Sequence, residues 1–177
     1  MALASTRDVP AAERESALFD EALSRVPDSR YIFNNTCLDI LAIAREMMLG
    51  EIEYRKGNFD LAFDHLGKSV ELDDNLPYDE PWGWMQPTRH ALGALLMEQG
   101  RVEEACRIYR EDLGYGDTIS RASQHPDNVW SLHGYHECLI RLGRTAEAEI
   151  IEQRLRLANA RPDVPVPASC FCRLEAD

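Results

Sequence analysis

Three stretches of the chain can be laid one over another: "LGEIEYRKGNFDLAFDHL" (residues 49–66), "LGALLMEQGRVEEACRIY" (92–109) and "YHECLIRLGRTAEAEIIE" (135–152). Their glycines Gly57, Gly100 and Gly143 fall at a constant interval of 43 residues, and so do the small residues Ala62, Ala105 and Ala148. Two landmarks that keep one period through three copies mark an internal repeat, and repeats of this length are the signature of stacked supersecondary units. Each copy has an apolar stretch of helical spacing, a turn around the glycine, and a second, amphipathic stretch. The predicted unit is a helix, a turn and an antiparallel helix. The alanine stands where the two helices cross too closely for a larger side chain. The fold class is all-α.

These units resemble tetratricopeptide repeats. In the first copy Leu49-Gly50, Tyr54, Gly57, Phe59, Ala62, Val70 and Leu72-Asp73 stand at the family's offsets. The second keeps Leu92-Gly93, Gly100, Ala105, Tyr109 and Leu113. The third keeps Gly143, Ala148 and Leu155 but has His136 at the small-residue position of its first helix. "ALFDEALSRVPD" (17–28) matches the end of an earlier, partial unit through Phe19, Ala22 and Pro27. The resemblance covers roughly residues 12–158 and implies a right-handed α-solenoid of three full repeats plus a partial N-terminal unit. A chain that opens in mid-repeat is expected to be the C-terminal part of a longer repeat protein. The family's period is about 34 residues, so each copy here carries roughly nine more. They fall in "DNLPYDEPWGWMQP" (74–87) and "GYGDTISRASQHPDN" (114–128), whose Pro, Gly, Asp and Asn content predicts loops. Trp82 and Trp84 in the first loop either cap the core where two repeats meet or form a ligand-contacting rim.

A helix is expected from about Asn35 to Lys56, capped by Asn34, Asn35 or Thr36. The repeat domain spans 1–160. The remainder, 161–177, is a proline-rich tail ending in Cys-Phe-Cys before its last five residues. Alternating proline and valine exclude helix before Ala168, and an extended run from Pro162 to Ser169 reaches roughly 25 Å. That is far enough to carry Cys170 and Cys172 back across the body.

Composition excludes several functions. The net charge of -12, from 31 acids against 19 bases, is wrong for a phosphate-backbone surface, so no nucleic acid is expected as partner. No apolar run is long enough to span a membrane. The N-terminal "MALASTRDVPAAERES" lacks the apolar centre of a signal peptide, and five cysteines do not suggest a secreted disulfide framework. A reduced, cytoplasmic protein is expected.

The repeat also assigns faces. Ten residues before each turn glycine stand Met47, His90 and His133, equivalent positions on successive first helices. The resemblance implies that this face lines a concave groove. Glu51, Ala94 and Glu137 share it, then Tyr54, Met97 and Ile140, with Arg55, Glu98 and Arg141 at the margin. Glu51, Tyr54, Arg55, Trp130 and Arg141 are the candidate groove-binding residues. His136 is expected to pack against its own second helix, Cys106 and Cys138 to be structural thiols, and His65 and His125 to lie at the surface.

Two function classes follow. The first is a binding scaffold whose groove holds a peptide or polar ligand, with a protein segment as partner. The second is a zinc-type metalloprotein. Zinc takes imidazole nitrogens and thiolates, and helices packed about 8–10 Å apart let His90 and His133 converge, with Cys170 and Cys172 supplied by the tail. A closed set of four would be structural. An open one would be hydrolytic, with Glu137 as general base for metal-bound water. The chain has no G-x-S-x-G, P-loop or G-x-G-x-x-G motif.

Overall fold

The computed structural model describes residues 2–173; Met1 and the last four residues of the tail, 174–177, lie outside the described residues. The chain divides into two compact units between Thr88 and Arg89. The first contains α1 (Ala2–Ser5), α2 (Val9–Leu23), a short hairpin of β1 (Tyr31–Ile32) and β2 (Asn35–Thr36), α3 (Cys37–Lys56) and α4 (Phe59–Asp74). The second holds α5, which starts at the last residue of the first unit (Thr88–Glu98), α6 (Val102–Asp112), a 3-10 turn at Arg121–Ser123, α7 (Val129–Arg141) and α8 (Thr145–Asn159). Apart from the two-residue strands the fold is all-helical. Within each unit helices pack in chain order: α3 on α4, then α5 on α6, α6 on α7 and α7 on α8.

The three turns of the repeat are built alike. Gly57, Gly100 and Gly143 have φ of 85°, 72° and 69°, the left-handed conformation in which a side chain is strained. Each closes the same pair of capping bonds. The glycine N–H donates to the carbonyl of Tyr54, Met97 or Ile140, and the next N–H donates to that of Glu53, Leu96 or Leu139. That is the Schellman cap of a helix end. Ala62, Ala105 and Ala148 are all buried, as close helix crossings require. At the start of α3, Thr36 is the cap, its hydroxyl accepting from the Asp39 N–H at 3.0 Å.

α2 packs on α3 through Ala12 and Ile52 and is tied to it by Arg45 and Asp20 at 2.7 Å. The connection 75–87 contains no helix or strand. It folds back on the hairpin, where the buried Asp79 carboxylate accepts from the Asn34 N–H and the Asn35 side-chain amide, each at 3.1 Å. Trp84 donates its indole N–H to the sulfur of Met47 at 3.1 Å, whereas Trp82 is 45% exposed.

The second unit is organised around Tyr109 of α6, which is completely buried. Its ring lies against both Gly93 of α5 and Gly134 of α7. A Cβ at Gly93 would meet the ring at 2.6 Å, and one at Gly134 would come closer than 3.0 Å. The third repeat therefore places its close-approach glycine at Gly134, two residues before His136. The tail then lies on this unit without helix or strand, and Ala168, Ser169 and Cys172 are buried.

Replacing Gly134 by alanine should destabilise the chain by about 1–3 kcal/mol through overpacking against the tyrosine ring. The same change at Gly67, in the middle of α4 with nothing within 4 Å of an added Cβ, should stabilise by roughly 0.5–1 kcal/mol. Denaturant titration of the two variants checks both signs.

Candidate functional site

The face of α7 that carries Trp130, His133 and Glu137 is the face on which the tail sits. Tyr109 donates its hydroxyl proton to Ser169 Oγ at 2.7 Å. Burial pushes the Tyr109 phenol far above its ordinary range, so it stays a donor. The Trp130 and Phe171 rings meet edge to face, 5.1 Å between centroids. Arg173 grips Glu137, with Nη1 to Oε2 at 2.6 Å and Nη2 to Oε1 at 3.3 Å. Arg141 donates to the same carboxylate at 2.6 Å. Burial alone would raise the Glu137 carboxyl, but the Arg173 hydrogen bond and the charges of Arg173 and Arg141 hold it below the usual range. Three successive contacts thus fasten the tail, one through a hydroxyl, one through an aromatic edge and one through a half-buried ion pair.

His133 lies on this face too. Its neighbours include Glu137 and Arg173, and burial lowers its affinity for a proton. Its Nδ1 is buried and makes no hydrogen bond among the described residues. His136 is half-buried as well, so burial does not separate the two histidines; the company of Arg173 does.

The candidates in the first unit lie elsewhere. Glu51 is 2% exposed and Tyr54 5%. The Arg55 side chain is 4% exposed, with its guanidinium 3.8 Å from Glu51 and over the Tyr54 ring. Met47 is covered by Trp84. These residues offer no open face to a ligand. Of the remaining candidates, Trp130 and Glu137 contact the tail, and Arg141 is committed to Glu137 and to the Met97 carbonyl.

The expected zinc site is not formed. Among the described residues no group of three or more His, Cys, Asp or Glu side chains that could hold a metal ion is present. The physical reasons lie with each expected ligand. His90 faces Asp112, with Nε2 3.2 Å from Oδ2. Cys170 and Cys172 are bonded to each other as a disulfide, so neither is a thiolate ligand. A guanidinium, that of Arg173, stands beside His133. The role of Glu137 as base for a metal-bound water falls with the site. Cys37, Cys106 and Cys138 are free thiols; burial raises Cys106 and Cys138, as suits the structural role expected of them.

A second polar cluster escaped the sequence. Asp112, the last residue of α6, is buried and accepts four side-chain donors. These are His125 Nδ1 at 2.8 Å, His90 Nε2 at 3.2 Å, Asn128 Nδ2 at 2.8 Å and Ser131 Oγ at 2.6 Å. A carboxylate only accepts, so both imidazoles turn an N–H toward it. Burial works to raise the Asp112 carboxyl, but the hydrogen bonds and charges of His125 and His90 hold it far below the usual range. The cluster ties the end of the long connection to α6, and Asn128 caps α7 by accepting from the Ser131 N–H at 2.8 Å. Ser131 donates to the carboxylate rather than to an imidazole, so no nucleophile–base pair exists here. The Asn-x-x-Ser cap was readable. That His125, expected at the surface, and His90, expected in the groove, share one carboxylate was not.

Asp112→Asn should cost about 3 kcal/mol at neutral pH, because it leaves buried donors opposed. A depressed carboxyl contributes stability above its unfolded value, and that stability fades as pH falls through the folded one. The gap between wild type and Asp112→Asn in urea midpoint should therefore be full at pH 7 and shrink as pH drops below about 4.

No family model, no curated protein and no solved structure matches the chain.

Proposed function

We propose that this chain is a peptide-binding scaffold of the tetratricopeptide-repeat kind, with three full repeats and a partial one following that family's right-handed wind. The ligand is a protein segment, held on the face of α7 that the tail covers. The observation that carries the reading is the chain's own tail, seated there through Ser169, Phe171 and Arg173 on Tyr109, Trp130 and Glu137. A face that seats one irregular, side-chain-anchored segment in cis has the chemistry to seat another in trans.

The tail also specifies the ligand. The anchoring carboxylate, Glu137, has Glu98 among the charges around Arg173, and Arg141 is spent internally. The preferred ligand therefore presents an arginine or lysine near an aromatic residue, and an acidic peptide is disfavoured. A partner must displace the tail, so the seated tail works as a competing internal ligand whose removal raises apparent affinity.

A fluorescent peptide of residues 160–177 tests this by anisotropy. Wild type should bind it weakly. Full-length Phe171→Ala/Arg173→Ala, whose tail is loosened, should bind at least tenfold more tightly, and adding Glu137→Gln to that variant should abolish the gain. Added salt should weaken binding, as a partly exposed ion pair requires. Equal binding to all three proteins, or none to any, would contradict the reading.

A further inference from the structure

The second unit has another concavity, on residues the tail contacts do not use. It is a cavity of about 350 Å³ between α6, the following connection, α7 and α8, in the lower range of ligand pockets. Tyr115 and Tyr135, their rings tilted and 5.9 Å apart, line it together with Ile150 and Ile151. Arg110 and Arg154 supply two guanidinium groups. Its one acid, Glu147, accepts from Arg144 Nε at 2.7 Å and Nη2 at 2.6 Å, a bidentate pair that offsets its charge.

The two arginines differ usefully. Arg154 is fixed: it donates to the Tyr115 hydroxyl, lies over the Tyr115 ring and reaches Asp127 at 3.3 Å. Arg110 makes no ion pair among the described residues, although its charge reaches Glu147 and Tyr135. Its Nη1 lies over Gly116, where a Cβ would sit 3.1 Å away. In a chain with a net charge of -12, an uncommitted arginine at the rim of an aromatic and aliphatic pocket is unusual chemistry. Ile150, 62% exposed, adds an apolar wall that nothing in the fold covers.

We propose that this pocket binds a carboxylate attached to an apolar ring. The ring would lie against Tyr115, Tyr135 and the isoleucines, and the carboxylate would pair with Arg110, whose planar fork suits it. The assignment is independent of the groove on α7.

The shared chemistry can come from a free aryl acid or from the C-terminal residue of a chain, and the probes separate these. Full-length protein with labelled isoleucine methyls is titrated with 3-phenylpropanoate, with its amide, and with an N-acetylated dipeptide ending in phenylalanine. The Ile150 and Ile151 methyls should shift with both acids, and the acid should bind at least tenfold more tightly than the amide. Arg110→Gln should erase that preference while leaving the melting temperature unchanged, since the side chain is exposed and unpaired. A tighter free acid assigns a small-molecule ligand; a tighter capped dipeptide assigns a chain terminus. Equal affinity for acid and amide, methyl shifts elsewhere, or a preference that survives Arg110→Gln would overturn the site.

Discussion

One aromatic ring sets the geometry of the second unit. Tyr109 lies between two glycines on two different helices, and its hydroxyl is the anchor for the tail. The ring is large enough to fill the space between α5 and α7 only because neither helix carries a side chain there. A buried phenol must also find a partner, and Ser169 supplies it. The same residue thus fixes helix spacing and gives the tail its place. Without the tail, a buried hydroxyl would lose its acceptor, at a cost on the order of 1–3 kcal/mol. That is a reason for the tail to stay seated even though Phe171 is mostly exposed.

Around this wedge the polar interactions divide the labour. Asp112 gathers two histidines, an asparagine and a serine from three directions, and so sets where α7 begins. Glu137, two turns further along α7, gathers Arg141 and Arg173 and so sets where the tail ends. Each is a carboxylate kept charged by the cations or N–H groups around it, which explains why both are depressed despite burial. The first unit follows a different plan. Its equivalent positions are closed over by Trp84 and by the Glu51–Arg55 pair within the core, whereas those of α7 are covered by the tail.

The repeat was legible because its signals are local. A left-handed glycine and a small residue five positions later are dictated by the turn and by the crossing that follows it, and all three copies show both. The start of α3, narrowed to Asn34, Asn35 or Thr36, and the irregular character of the long connections, broken only by the 3-10 turn at Arg121–Ser123, were legible for the same reason. The glycine of the third crossing was not legible, because Gly134 is shifted by two residues from the register of Gly50 and Gly93, where His136 stands. The site was partly legible. Counting from the turn put His133 and Glu137 on one face with Arg141 at its margin, and the proline run is long enough for the tail to reach it. What the tail brings differs from the expectation: the two thiols turned toward each other, and Arg173, one residue beyond them, made the contact. Which side chain of an irregular segment reaches a surface depends on a turn at residues 170–173, and no period in the sequence encodes it. The Asp112 cluster joins residues from α5, α6, a loop and α7, so no local pattern could announce it.

The most direct measurement is the contact between Phe171 and Trp130 in the full chain in solution. With their rings 5.1 Å apart, nuclear Overhauser spectra should show cross-peaks from the Phe171 ring protons to the Trp130 indole. They should disappear in Tyr109→Phe/Glu137→Gln, where two of the tail's anchors are gone. Cross-peaks absent from the wild type, or unchanged in the double variant, would contradict the seating of the tail on α7.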